Sequence, residues 1–190
     1  MPRYLEALGR SPADVTLIVI THHHIDHIGG LAGLKKATGA RVAAHRDDAP
    51  YGSGGLAQPV PFCTGLASLL LRPVRPPLQT RPVDVDILLN DGDELPALGG
   101  LRVIHTPGHS PGSICLLSPS RRLLITGDAL NRRHGRLQFP PRSVSADVVR
   151  ARESVHRLLE FDFDTVCFGH GKPLLHGRRE EVQRLVEPPS

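Results

Sequence analysis

The 190-residue chain lacks a long apolar run. Its best candidates, residues 15–20 and 69–71, are far shorter than the stretch of about 18 apolar residues that indicates a membrane-spanning helix. The start, Met1 to Glu6, also lacks the basic segment, apolar stretch and cleavage site of a secretory signal. The sequence therefore predicts a cytoplasmic protein without a helical membrane span.

Cysteine is scarce, and Cys63, Cys115 and Cys167 form no C-x-x-C pair. Because Cys115 and Cys167 lie in apolar, strand-like runs, we expect buried free thiols in a reducing compartment. Two catalytic motifs are also missing: no G-x-S-x-G stands between a predicted strand and a predicted helix, and no G-x-x-x-x-G-K-[ST] occurs. A serine hydrolase and a phosphate-loop enzyme are therefore not expected.

Charge of one sign is not concentrated anywhere. Lys+Arg 23 against Asp+Glu 19 gives a net charge of +4, carried mostly by scattered arginines. The densest local group is Arg132, Arg133 and Arg136. A nucleic-acid binder more often collects its charge in one stripe, so nucleic acid is not the expected partner.

The length accommodates one domain, which we expect to span residues 1–190. Residues 50–82 are rich in proline and glycine and are predicted to form an insertion or lid within it. Apolar patterns predict strands over residues 14–20, 41–44, 85–89, 101–104, 113–117, 123–125 and 164–168. They also predict helices over residues 31–37, 66–71, 145–159 and 177–186, the third of them capped by Ser145. Because strands and helices intermingle, the fold class is α/β.

A histidine cluster follows the first predicted strand. His22, His23, His24, Asp26 and His27 lie within six residues, directly before a Gly-Gly pair and a helix. Neutral imidazole and carboxylate are good ligands for divalent metals, and loops at sheet edges are where such sites form. The cluster therefore predicts a metal site.

Three further segments each place one metal-ligand residue just beyond a predicted strand. They contain His109, Asp128 and His170, and each of these residues has glycine beside it. Glycine permits tight turns and close backbone approach around a crowded site. His105 and Ser110 are candidate residues for orienting the ligands.

The seven residues together resemble the metallo-β-lactamase-fold hydrolase superfamily, whose site combines H-x-H-x-D-H with a later His, Asp and His. The resemblance spans about residues 15–173 and implies an αββα sandwich of two mixed sheets with flanking helices. It implies roles for each position: His22, His24 and His109 hold a first metal, Asp26, His27 and His170 hold a second, and Asp128 bridges both.

Asp128, where β-lactam-hydrolysing members often have cysteine, makes the set similar to glyoxalase II-like and lactonase-like members. The resemblance implies hydrolysis of a small ester, thioester or lactone by a hydroxide that two divalent ions share. Zinc is the expected metal, although the ligand types also accept iron or manganese. Asp26 is the expected catalytic residue, as acceptor of the nucleophile's proton.

Family members usually carry additional strands before the ligand loop. We therefore expect the first sheet to be incomplete, with an unpaired edge that a homodimer would cover. Three other functions stay open: a persulfide dioxygenase-like oxidoreductase with one iron on His22, His109 and Asp128, a nucleic-acid processing enzyme, and a non-catalytic relative. The number and identity of the bound metals separate the first of these from the hydrolase.

Overall fold

The fold is described by a computed structural model that covers residues 2–54, 81–175 and 179–187. Most of the predicted 50–82 lid, with the helix predicted over 66–71 and with Cys63, lies outside the described residues. Within them, the strands are β1 Leu17–Ile20, β2 Arg41–His45, β3 Ile87–Leu89, β4 Glu94–Leu95, β5 Leu101–His105, β6 Ile114–Ser118, β7 Leu123–Ile125, β8 Asn131–Arg133, β9 Arg136–Gln138 and β10 Thr165–Cys167. The helices are α1 Pro2–Ala7, α2 Ile25–Ile28, α3 Leu31–Thr38, α4 Ala49–Gly52, α5 Val148–Arg157 and α6 Arg179–Val186.

Two sheets and a hairpin organise these strands. The first sheet has the order β1-β2-β3, and the second has the order β10-β7-β6-β5-β4. The first sheet differs from the expected mixed sheet, because both of its described pairs are parallel. The second is mixed: β10 and β7 are parallel, whereas β7, β6, β5 and β4 pair antiparallel in turn. Strands β8 and β9 form a separate hairpin.

The core lies in three layers of apolar side chains. Between the sheets, Ala43 and Leu89 pack with Val103 and Leu116, while α3 covers the outer face of the first sheet. On the other side, Leu124 and its neighbours pack against α5 and α6. This order of helix, sheet, sheet and helix is the predicted αββα sandwich.

Local chemistry shifts two of the predicted elements. The first strand begins at Leu17 and not at residue 14, because Pro12–Asp14 form a 3-10 turn in which Asp14 accepts the Ser11 N–H at 2.9 Å. The prediction that Ser145 caps α5 is wrong. Asp147 occupies that position and accepts the Arg150 N–H at 3.0 Å, as an N-cap residue does.

No helix in the described part of the chain is long and apolar enough to cross a membrane.

Candidate metal centre

The ends of four strands meet at one edge of the sandwich. In the second sheet β5, β7 and β10 run in the same direction, so their carboxyl ends lie side by side. The Ile114 N–H donates to the Thr21 carbonyl at 2.9 Å, which joins the end of β1 to this edge. The loops that follow these strands carry all seven predicted residues.

Three histidines form the first group of metal-ligand side chains. His22, His24 and His109 each offer a ring nitrogen, and these nitrogens lie within 4.8 Å of one another. The ring centroids are 4.9 Å apart for His22 and His24, and 4.5 Å apart for His24 and His109. His22 and His109 are buried.

Asp26, His27 and His170 form a second, more exposed group. The Asp26 Oδ2 atom lies 3.0 Å from His170 Nε2 and 3.7 Å from His27 Nε2. The side chains of Asp26 and His170 are 53% and 47% exposed, so this side of the site opens to solvent.

Asp128 lies between the two groups. Its Oδ1 is 3.5 Å from His27 Nε2, and its Oδ2 is 3.7 Å from His109 Nε2 and 3.5 Å from His170 Nε2. The structure therefore brings together all seven residues from loops that are far apart in sequence.

Several buried polar atoms in this cluster have no hydrogen-bond partner among the described residues. They are His22 Nε2, His27 Nε2, His109 Nε2 and Asp128 Oδ1. Burying unpaired polar atoms costs free energy, so native proteins rarely collect them in one place. A divalent cation satisfies such lone pairs, and imidazole nitrogens with a carboxylate are a suitable donor set for it. The residues present therefore fit a metal.

The electrostatic environment keeps His22 and His109 neutral and Asp128 ionised, and these are the protonation states that can bind a metal. Burial, reinforced by the neighbouring histidines, lowers the pKa of His22 well below 6.5. Burial likewise lowers the pKa of His109 to about 4. For Asp128, burial opposes ionisation, but the imidazoles of His27, His109 and His170 outweigh it and hold the pKa below its usual range. Neutral imidazoles and an ionised carboxylate are what metal binding requires.

Glycine is needed at two positions around the cluster. A Cβ at Gly169 would stand 2.2 Å from Asp128 Oδ1 and 2.7 Å from His27 Cε1. Gly108, at φ +130°, leaves no room for a Cβ, which would lie 2.2 Å from the Ala151 nitrogen. These contacts explain why glycine lies beside the candidate ligands.

The segment Gly108 to Gly112 also fits the G-x-S-x-G pattern of serine hydrolases. Here it joins two antiparallel strands, whereas a nucleophile elbow joins a strand to a helix. Ser110 is 1% exposed, and its hydroxyl donates to Asp48 Oδ2 at 2.6 Å. Ser110 is therefore a buried structural donor and not an exposed nucleophile.

Sequence reasoning missed Asp48, the residue to which Ser110 donates. Asp48 is 2% exposed and lies just after β2, at the same edge as the other loops. Burial opposes its ionisation, but the neighbouring His23 and the hydrogen bonds from Ser110 and Gly112 outweigh it and lower its pKa. Asp48 could have been found from the sequence by the criterion that identified His109 and Asp128, because it too lies just beyond a predicted strand.

Other histidines lie around the cluster without joining its two groups. His23 stacks on Tyr51 at 3.8 Å between ring centroids. His45 is buried, and its ring stacks on His105 at 3.9 Å between ring centroids. His105 in turn contacts the Pro111 carbonyl through Nε2 at 2.9 Å, within the loop that carries His109.

A four-layer sandwich with an edge rich in histidine and aspartate is typical of a class of metal-binding proteins. Comparison of the sequence with known families agrees with this class. The chain belongs to the metallo-beta-lactamase superfamily, whose profile matches residues 1–170. The family assignment made from the H-x-H-x-D-H pattern is confirmed.

Two relatives illustrate the range of the family. The probable metallo-hydrolase YflN of Bacillus subtilis (strain 168) is 30% identical over 172 residues, which are 83% of this chain and 64% of YflN. A hydroxyacylglutathione hydrolase of Ectopseudomonas mendocina (strain ymp) is 37% identical over 130 residues, which are 67% of this chain and 37% of that enzyme. The chain thus spans less than two thirds of the length of either relative.

Solved structures share the fold. TTHA1623, crystallised in a di-iron-bound form, matches with a TM-score of 0.68 at 26% identity, over 96% of this chain and 80% of TTHA1623. TTHA1429 from Thermus thermophilus matches with a TM-score of 0.72 at 23% identity, over 97% and 64% of the two chains. The second match shows the fold alone.

Proposed function

We propose that the chain is a metal-dependent hydrolase that cleaves a small ester, thioester or lactone. The observation that carries the proposal is the convergence of five imidazoles and two carboxylates, four of whose buried atoms lack a hydrogen-bond partner among the described residues. The relatives named as a metallo-hydrolase and as hydroxyacylglutathione hydrolases support the class of reaction.

The ligands divide between two ions. His22, His24 and His109 would hold the first, and Asp26, His27 and His170 the second, with Asp128 shared because its two oxygens approach histidines of both groups. When bound, such a pair of divalent ions supplies Lewis acidity and a nucleophile from water near neutral pH.

Asp26 is the proposed catalytic residue. Its carboxylate is half-exposed and lies 3.0 Å from His170 Nε2, at the side of the site that opens to solvent. A carboxylate there accepts a proton from an attacking water and releases it to bulk solvent. The buried, neutral His22 and His109 remain lone-pair donors and do not exchange protons near pH 7.

Zinc is the proposed metal, since imidazole and carboxylate are among its usual ligands and hydrolysis needs no change in the oxidation state of the metal. The same ligand types accept iron and manganese, and TTHA1623 was crystallised with two irons. Direct elemental analysis is therefore part of the test.

The test combines metal analysis with activity. The full chain, purified without added chelator, is analysed for zinc, iron and manganese. It is then assayed on a hydroxyacyl thioester and a panel of lactones. We expect two zinc ions per chain and hydrolysis that a chelator abolishes and added zinc restores. One iron per chain with oxygen consumption on a persulfide would instead identify an oxidoreductase, and full metal without turnover would indicate a non-catalytic relative.

A pair of variants shows whether the activity belongs to this site. Asp128→Asn removes a carboxylate in contact with both groups and should lower turnover by about a hundredfold or more, since the loss of even an outer-shell partner of a metal typically costs about tenfold to a hundredfold. Asp162→Asn is the matched control, because Asp162 is an exposed aspartate paired with Arg122. Equal activity of the two variants would rule out this site as the source of hydrolysis.

A further inference from the structure

Asp48 is a buried carboxylate that contacts two of the loops carrying candidate ligands. It follows β2 directly and is 2% exposed. It is not in either of the groups that offer metal ligands. Burying a charge costs free energy unless the charge is hydrogen-bonded. The hydrogen-bond partners of Asp48 therefore indicate which part of the structure this carboxylate stabilises.

The first contact is with the loop after β1. The backbone N–H of His23 donates to Asp48 Oδ2 at 2.9 Å, and the His23 ring nitrogen Nδ1 lies 3.0 Å from the same oxygen. His23 stands between His22 and His24 in the chain. Fixing its backbone and ring therefore fixes the direction in which both neighbouring side chains leave the loop.

The second contact is with the loop between β5 and β6. The Ser110 hydroxyl donates to Asp48 Oδ2 at 2.6 Å, and the Gly112 N–H donates to Oδ1 at 2.6 Å. Ser110 directly follows His109. The approach is close, since a Cβ at Gly112 would lie 2.5 Å from the Asp48 nitrogen.

We propose that Asp48 is the positioning residue for the metal site formed by His22, His24 and His109, because it joins the two loops that carry these three histidines. The inference rests on the proposed function, since it concerns the same metal site. No hydrogen bond or ion pair of the described residues joins Asp48 to Asp26, His27 or His170. The proposal therefore predicts a selective effect on the first ion, which a general contribution to folding would not produce.

The substitution Asp48→Asn tests this geometry with little change of shape. Both carboxylate oxygens accept hydrogen bonds, Oδ2 from His23 and Ser110 and Oδ1 from Gly112. Asparagine offers one oxygen and one NH₂ group, so one backbone N–H must face another donor. Loss of an outer-shell partner typically lowers metal affinity by about tenfold to a hundredfold.

Two background variants, each lacking one candidate ligand, allow zinc binding at the two groups to be measured separately. His170→Ala removes a ligand of the second group and leaves the first group intact, whereas His24→Ala does the reverse. Zinc affinity of each full-length protein is measured by competition with a chromophoric chelator, and folding is checked by circular dichroism without metal. Asp48→Asn should weaken zinc binding about tenfold to a hundredfold in the His170→Ala background, and by less than about threefold in the His24→Ala background.

Asp86→Asn is the matched control. Asp86 also accepts a backbone N–H, from Val42 at 2.7 Å, and it forms an ion pair with Lys35. Its substitution should leave zinc affinity unchanged in both backgrounds. If Asp48→Asn does not fold, Ser110→Ala is used in its place. This change removes one of the hydrogen bonds to Asp48, so it should give a smaller loss of zinc affinity in the His170→Ala background.

Each outcome decides the inference. A selective loss in the His170→Ala background supports it, while equal losses in both backgrounds, or none, overturn it. A parent chain that binds no zinc, iron or manganese overturns the proposed function and this inference together. A parent chain that binds metal with an affinity unaffected by Asp48→Asn or Ser110→Ala overturns this inference alone.

Discussion

Lowering the pH of the metal-free protein from 7 to 5 should lower its free energy of unfolding by at least about 2 kcal/mol. Two buried histidines of the first group contribute to this loss, because burial lowers the pKa of His22 well below 6.5 and that of His109 to about 4. Below pH 6.5 the unfolded chain binds more protons at these two histidines than the folded chain does. Stability therefore falls as the pH falls through this range.

The magnitude follows from the width of the window. pH 5 lies one and a half units below the ordinary histidine pKa, and each unit corresponds to about 1.4 kcal/mol, so His109, whose pKa is lowered to about 4, contributes about 2 kcal/mol. His22 adds to this loss, because burial lowers its pKa as well. The lowered pKa of Asp128 affects the free energy of unfolding only near and below its ordinary value of 3.8, which lies outside the range from pH 5 to pH 7. A loss of at least about 2 kcal/mol is a substantial part of the total of about 5–15 kcal/mol that is usual for a domain.

Urea denaturation with a chelator present, followed by circular dichroism at pH 7 and pH 5, measures the effect. In His109→Gln the loss between the two pH values should shrink by about 2 kcal/mol. His156→Gln, which changes an exposed histidine beside Glu187, should behave like the parent chain. Equal stability of the parent chain at both pH values, or an unchanged loss in His109→Gln, would refute the reasoning.

Three further outcomes are expected. Gly108→Ala should destabilise the fold and lower the melting temperature, because the added Cβ meets the backbone of Ala151 at 2.2 Å; an unchanged melting temperature would contradict this contact. Leu124→Ala should cost about 2–5 kcal/mol in urea denaturation, since Leu124 is 0% exposed in the core between the second sheet and the helices, and a cost near zero would argue against that packing. Adding zinc at about a hundred times its dissociation constant should raise the unfolding free energy by about 2.7 kcal/mol for each ion that is bound, whereas no change in a calorimetric melt would show that the folded state has no metal site.

The site could be predicted largely from the sequence because each of its residues follows a strand. Apolar runs mark the strands, and residues as distant as His22 and His170 were expected together because the seven-residue set resembles the motif of the metallo-β-lactamase-fold superfamily. Asp48 was missed because a single aspartate in a loop carries no motif. Its importance arises from contacts with His23 and Ser110, which exist only in the folded chain.

The fold was predictable to a similar extent, with failures where sequence patterns are weak. The hairpin of β8 and β9 has polar and basic strands, so no apolar alternation marks it, and its turn at His134 and Gly135 is evident only from their positive φ angles. Ser145 and Asp147 are both good capping residues, and the choice between them depends on where α5 packs. The burial of His45 likewise depends on a stacking partner, His105, that is distant in the sequence.

The most direct test of the central claim is anomalous X-ray diffraction from crystals of the full chain grown with zinc. The account predicts two zinc peaks about 3.5–4 Å apart, one beside His22, His24 and His109, the other beside His27 and His170, with Asp128 between them. A lone peak, or peaks located away from these residues, would contradict it.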